Sequence, residues 1–419
     1  MTKKITITNA YTWYNKGDAG ILLGIINTLK KIYNDNVEFT ILSQSPEEDK
    51  KRYCQDSCVK EIYSNILNPN PYKHTKFGKV IATLKLFLKF IGYQIGLKLF
   101  KNYLVKTKDN LKALSESDII IVCGGGFLGG KKYDSLMHVY QMYVNTLFNK
   151  PVFVMGNSIE PMNNGIVKKY TEKVLKKMDY FFAREEITYE YIKTILPKER
   201  YCLIPDMAFM LRDEEKNFDF INNIRKESNI IFGITVRNWN FPRLDNREKA
   251  MDNYISSISK AMEYLINNYN SSFIFIPQVT VKSGDDTIVA QKIKDRLPAK
   301  IKEKFTIRTD DWSPIEIKSV IGNLDYFIGT RMHSNIFATS MKIPTTAIAY
   351  EKKTNGIMMT VNLDDYIIEI DSISENELIN KVELMIKNSD IIKLNLENRI
   401  REIRNEILDK LNIVFKEEN

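Results

Sequence analysis

The chain has 419 residues, 44% of them hydrophobic and 27% charged, with a mean hydropathy of −0.28. This composition excludes a disordered or membrane-spanning protein, and the length exceeds one ordinary core, so two domains are expected. A net charge of +9, taken as spread along the chain, suits anionic small molecules or an anionic membrane surface, and no nucleic-acid module accompanies it.

Residues 1–9 carry no long apolar run after their lysines and read as a first strand, not a signal peptide. The cytoplasm, or the inner face of the membrane, is the compartment expected. Four cysteines are too few for a disulfide framework, and Cys54 and Cys58 lack a second pair to complete a metal site. A strand at 5–9 leads through a loop into a helix over 18–33, and further strands are expected at 37–42, 118–123, 151–155, 179–183 and 201–204. The charged stretch 211–228 lacks a β pattern and separates two blocks. Strands then recur at 230–236, 273–277, 305–308, 325–328, 345–350 and 366–370, with helices at 249–268, 285–297, 314–321 and 334–341. Strands alternating with helices predict an α/β protein with two Rossmann-like doubly wound domains facing across a cleft. The domains are set at 1–212 and 226–372, with closing helices over 373–419.

The segment 80–104 breaks this rhythm, being apolar but punctuated by Lys85, Lys89 and Lys98. Those lysines argue against a transmembrane span. It reads either as a basic amphipathic helix in peripheral contact with a membrane surface or as a long helix packed on the first domain, and packing is the favoured reading.

The chemistry-bearing residues cluster where strands end. Gly329-Thr330-Arg331-Met332-His333 joins an apolar strand to a helix, placing Arg331 and one of three histidines at the edge where open α/β sheets bind ligands. A helix amino end favours anions, and the Arg331 fork fits phosphate or carboxylate bidentately. Arg237 closes the first strand of the second block and offers a second cation, and Lys352 or Lys353 follows a later strand. His333 suits proton transfer or donation to phosphate, although a lone histidine is as a rule structural. Asn15-Lys16-Gly17-Asp18 after the first strand reads as a ligand-facing loop, with Asn15 and Asp18 as polar contacts, or as a well-capped turn. Gly124, Gly125 and Gly126 allow close backbone approach but lack the dinucleotide-binding spacing. Arg184, Glu185 and Asp206 either line the cleft or, for Arg184 with Glu185, form a structural pair. No metal-ligand cluster, nucleophile elbow or P-loop is present in the sequence.

In order, Asn15-Lys16-Gly17-Asp18, Gly124-Gly125-Gly126-Phe127-Leu128, Gly156 to Pro161, Arg184-Glu185-Glu186, Pro205-Asp206, Gly233 to Arg237, Arg331-Met332-His333 and Tyr350 to Lys353 resemble the polysaccharide pyruvyl transferase family. The resemblance implies a fold like the two-domain, GT-B-type glycosyltransferases, phosphoenolpyruvate as donor, and a sugar or lipid-linked oligosaccharide acceptor. It implies donor contacts from Arg331, His333, Arg237 and Lys353, with the donor on the second domain and the acceptor on the first. Glu160 stands where the family has glycine, which leaves the acceptor class open.

The expected reaction moves the pyruvyl group of phosphoenolpyruvate onto a sugar as a ketal, in cell-surface polysaccharide biosynthesis. Phosphoenolpyruvate is a co-substrate, and no cofactor or metal is called for. His333 is the first choice for proton transfer, and Asp18, Glu185 and Asp206 are unranked candidates for activating hydroxyls. A nucleotide-sugar glycosyltransferase and a non-catalytic phosphoenolpyruvate- or sugar-phosphate-binding protein are the alternatives.

Overall fold

The computed structural model describes residues 2–67, 76–129, 133–162, 165–280 and 285–416. Side chains at 76–84, 86–87 and 133–134 are not described. Gly130, the last of the expected glycine run, and residues 417–419 of the closing segment lie outside. The chain forms two compact units, one of Met1–Trp13, Ile21–Met207 and Ile407–Asn419, the other of Tyr14–Gly20 and Ala208–Glu406.

The first unit is built on β1 (Lys3–Ala10), β2 (Val37–Ser43), β3 (Val59–Ser64), β4 (Ile119–Val122), β5 (Gly125–Gly129), β6 (Val152–Glu160), β7 (Tyr180–Ala183) and β8 (Tyr201–Leu203). They pair in parallel in the order β3-β2-β1-β4-β6-β7-β8, with β5 on β6. The central strand β4 is a continuous apolar run, buried at every position, because helices cover both faces of a parallel sheet. The end of the carboxyl-terminal helix Ser389–Lys416 contributes Phe415, whose ring lies 4.9 Å from that of Phe153 and 6.4 Å from that of Phe182.

The second unit carries β9 (Ile230–Thr235), β10 (Ser271–Phe275), β11 (Phe305–Ile307), β12 (Tyr326–Gly329), β13 (Thr345–Ala349) and β14 (Ile367–Glu369). All are parallel, in the order β11-β10-β9-β12-β13-β14. This is the doubly wound order, whose direction of winding reverses between β9 and β12. Arg237 and Arg331 both lie just past that reversal. Asp213 accepts from Lys318 at 2.6 Å and from Arg404 at 2.7 Å, tying the segment after the first unit to helices Pro314–Gly322 and Ser389–Lys416. The stretch read as lacking β pattern holds a short helix, Asp219–Arg225.

Candidate active site

The strand ends at the reversal are held by hydroxyls and one close backbone approach. Gly329 is in register with Thr235. Thr235 Oγ1 lies 2.8 Å from Ser334 Oγ, which donates to the Arg331 carbonyl at 2.6 Å, so helix Met332–Ser340 starts against the end of β9. Asn335 donates to the Gly329 carbonyl at 3.2 Å, and a β-carbon on Gly329 would overlap the Asn335 carboxamide. Glycine is therefore needed there for contact, and a nine-residue helix, whose first N–H groups have no partner within the helix, begins directly after the strand.

Arg331 is already engaged. Its Nε donates to Asp286 Oδ2 at 3.0 Å and its Nη2 to Oδ1 at 2.5 Å. The edge of the guanidinium expected to grip an anion bidentately is thus taken by a carboxylate, and Nη1 has no partner among the described residues. Burial pushes the Asp286 carboxyl up from its ordinary value, against the pull of Arg331 and Arg237. Asp286 precedes helix Thr287–Arg296 and lay in no sequence motif.

Arg237 is held differently. Its guanidinium carbon sits 3.9 Å from the Tyr350 ring centroid and 4.6 Å from that of Trp239. Its Nε is buried with no hydrogen-bond partner among the described residues. Burial, and then the neighbouring Arg331 cation, hold its pKa below the ordinary arginine value. A buried donor without a partner costs about 1–3 kcal/mol, so Arg237 is the group here that gains most from an anion. Lys353 stands half-buried in the first turn of helix Lys352–Thr360, which follows β13.

The loop after β1 belongs to this unit. Lys16 N–H donates to the Gln278 carbonyl at 3.0 Å, Asn15 bridges Val279, and the buried Lys16 ammonium meets Asp311 at 2.8 Å. Asn15 Nδ2 donates to Asp18 Oδ2 at 2.5 Å. A β-carbon on Gly17 would overlap His333 Nδ1, and one on Gly20 would come within 2.8 Å of Phe337. Sequence motifs more than 300 residues apart, Asn15–Asp18 and Arg331–His333, are thereby brought into one site.

The first unit holds the remaining expected residues. Arg184 does not pair with Glu185: its Nη1 donates to Asp206 at 2.9 Å, and Nε and Nη2 donate to Ser158 Oγ at 3.0 and 2.6 Å. The Asp206 side chain is fully buried in that pair. Glu185 accepts from Thr188 Oγ1 at 3.2 Å at the start of helix Glu186–Lys193. Gly124 and Gly125 are buried and Gly126 is exposed. A β-carbon on Gly124 would come within 2.5 Å of the Met155 carbonyl, so this glycine serves sheet packing.

Sequence reading missed a polar cluster at the carboxyl end of β1. Asn9, at φ 62°, donates from Nδ2 toward His138 Nδ1 and the His138 carbonyl, each at 3.1 Å. Gln44 lies 3.4 Å from the other ring nitrogen, and Phe127 stacks on the imidazole with centroids 4.1 Å apart. Asn9 and His138 are buried and Gln44 and Phe127 partly exposed, so amides, an imidazole and an aromatic ring, groups able to bind hydroxyls, are gathered here. The available signal was Asn9 itself, a polar residue ending an apolar strand.

Three comparisons bear on this arrangement. The amylovoran biosynthesis protein AmsJ of Erwinia amylovora is 24% identical over 417 residues, 96% of each chain. Among solved structures, a putative UDP-N-acetylglucosamine 2-epimerase from Listeria monocytogenes matches with a TM-score of 0.62 at 10% identity, covering 100% of this chain and 98% of that one. A UDP-glucose:anthocyanidin 3-O-glucosyltransferase matches with a TM-score of 0.58 at 12% identity, covering 100% and 99%. At such identities the structures speak for fold alone, two parallel-sheet α/β domains of the GT-B type. The family-level match covers residues 15–352, from the Asn15 loop through Arg331 and His333, and the chain belongs to the polysaccharide pyruvyl transferase family.

Proposed function

We propose that the protein transfers the pyruvyl group of phosphoenolpyruvate to two hydroxyls of one sugar, forming a ketal in the making of a cell-surface polysaccharide. The observation that carries this reading is the buried, unpartnered Nε of Arg237 beside Arg331 at the switch point of the second sheet. Phosphoenolpyruvate brings a phosphate and a carboxylate to that edge, and Arg237, the Nη1 of Arg331, Lys353 and the helix amino end are suited to both. Family membership and the likeness to a polysaccharide biosynthesis protein support the same assignment.

The reaction needs a proton on the donor methylene, attack by a sugar hydroxyl on the adjacent carbon, cleavage of that carbon's bond to the phosphate oxygen, and closure by a second hydroxyl. Two protons are released from the hydroxyls: one is taken up at carbon, and the other leaves on the inorganic phosphate, the leaving group. His333 is assigned the proton to the methylene or the steadying of the phosphate. Asp18, in the loop pressed on His333, is preferred as the hydroxyl base. Asp206 is committed to Arg184, and Glu185 to a helix start. The acceptor sugar, or a lipid-linked precursor, is assigned to the first unit, at Asn9, Gln44 and His138. The compartment is the cytoplasm.

The test is incubation with phosphoenolpyruvate and candidate acceptors, following phosphate release and the acceptor's mass. Phosphate release together with a pyruvyl ketal on the acceptor is expected. Nucleotide release from a sugar nucleotide, with phosphoenolpyruvate untouched, would instead establish the glycosyltransferase reading.

A further inference from the structure

The positive charge is not spread along the chain, as first read. Between Glu61 and Asp109 there are nine lysines and no acidic residue, and the rest of the chain is balanced, with 52 basic against 52 acidic side chains. This segment contains the helix Lys76–Thr107, which leaves helical geometry at Phe100. One face of the helix packs on the first unit: Leu97 is buried, Phe90 and Tyr93 lie against the core, and the Phe90 ring is 4.6 Å from that of Tyr140. The face opposite is also apolar. Leu88, Ile91, Ile95 and Leu99, spaced three or four apart, are 37% to 63% exposed. Exposed Lys85, Lys89 and Lys98 flank that stripe. Beside the helix, Phe90, Gln94, Tyr143, Tyr170, Lys173 and Lys177 line a cavity of about 310 Å³, which carries the basic surface onto helix Ile166–Leu175.

We propose that this face seats the protein on an anionic lipid bilayer, the apolar stripe entering the acyl boundary and the lysines reaching the phosphates. Charge chooses the occupant. A second copy meeting this face would set lysines against lysines with no acidic residue of the segment between them, and a soluble anion would leave Leu88 to Leu99 in water. An anionic bilayer satisfies both halves. No helix among the described residues is long and apolar enough to cross a membrane, so the contact is peripheral. The inference does not rest on the pyruvyl reaction, and its readout requires no donor.

The test is co-sedimentation of the full chain with vesicles of phosphatidylcholine alone and of phosphatidylcholine with phosphatidylglycerol, at low and high salt. Binding to the anionic vesicles only, weakened by salt, is expected. At about fivefold per lysine, the combined Lys85→Glu, Lys89→Glu and Lys98→Glu variant should bind at least about a hundred-fold more weakly. Leu88→Ser, Ile95→Ser and Leu99→Ser together should also abolish binding. The lysine variant alters no packed side chain, so it decides the matter even where the serine variant does not fold. Indifference to the lysine change, or equal binding to both vesicle types, overturns the proposal. A dimer in sedimentation velocity that the serine variant splits, with no vesicle binding, overturns it in favour of a second copy.

Discussion

Gly17 is small because His333 occupies the space a β-carbon would need. The two residues come from opposite ends of the family motifs, and their contact sets the imidazole against the loop that carries Asp18. Gly17 does not have a positive φ, so alanine suits its backbone and the cost of Gly17→Ala is the overlap alone. About 1–3 kcal/mol of stability should be lost. The same change in a His333→Ala background should cost far less in Tm, because only the His333 β-carbon remains near, at 3.0 Å. Equal destabilisation in both backgrounds would show that the imidazole does not set the constraint.

Arg237→Ala should weaken phosphoenolpyruvate binding by about 1.5–3 kcal/mol, the worth of a charged hydrogen bond, with little loss of stability. Arg331→Ala should do both, because it leaves the Asp286 carboxyl buried without its guanidinium. Adding Asp286→Ala to Arg331→Ala should restore Tm but not affinity. Calorimetric titration with phosphoenolpyruvate separates the two arginines, and wild-type affinity in Arg237→Ala would remove it from the donor pocket.

Asp206→Ala should behave as a structural lesion. It strands the Arg184 guanidinium, whose side chain is 5% exposed, and removing one partner of a buried pair costs about 3–5 kcal/mol. Thermal melting should register the loss, while phosphoenolpyruvate affinity measured below the transition should not change. A variant with normal Tm and no turnover would return Asp206 to the catalytic candidates.

Much of this was legible in the sequence, and the failures have physical reasons. Apolar strands ending in polar junctions gave the sheet of the second unit, and so placed Arg237 and Arg331 on adjacent strand ends. The strand β3 escaped because Lys60 and Glu61 interrupt its apolar pattern at the sheet edge, and β5 because glycines carry no β signal. The strand β6 runs past its expected end at 155, through Gly156 at φ 65°, where periodicity breaks although pairing continues. Asp286 could not be foreseen: it reaches Arg331 across 45 residues and belongs to no pattern. The lysine-only segment was visible throughout, and only averaging over the whole chain concealed it.

Asp49 offers a pH test within the first unit. Its side chain is buried, accepting from the Trp13 N–H at 3.1 Å and from the Ser43 hydroxyl, and burial raises its pKa from 3.8 to about 6. A carboxyl with a raised folded pKa binds its proton more tightly when folded, so its contribution to stability falls as pH rises from about 4 to 6. Asp49→Asn removes that titration. The difference in unfolding free energy between variant and wild type should therefore move in favour of asparagine across this window, by at most about 3 kcal/mol. A difference that stays flat from pH 4 to 7 would mean the carboxyl is not desolvated.

His333→Gln bears most directly on the proposed chemistry. Glutamine keeps hydrogen-bonding capacity at the amino end of helix Met332–Ser340 and cannot exchange a proton near neutral pH. If His333 delivers the proton to the donor methylene, turnover should fall by about 10²–10⁴-fold. Phosphoenolpyruvate affinity should change by only about tenfold, the worth of one neutral contact. The limb of the pH–rate profile that reports the imidazole should also vanish. Equal losses in turnover and affinity would make His333 a positioning residue held by Gly17, and the proton would then have to come from Asp18 or from the acceptor itself. Arg237 and Arg331 would keep their assignment under that outcome, because their charge-assisted contacts act on binding and not on proton transfer.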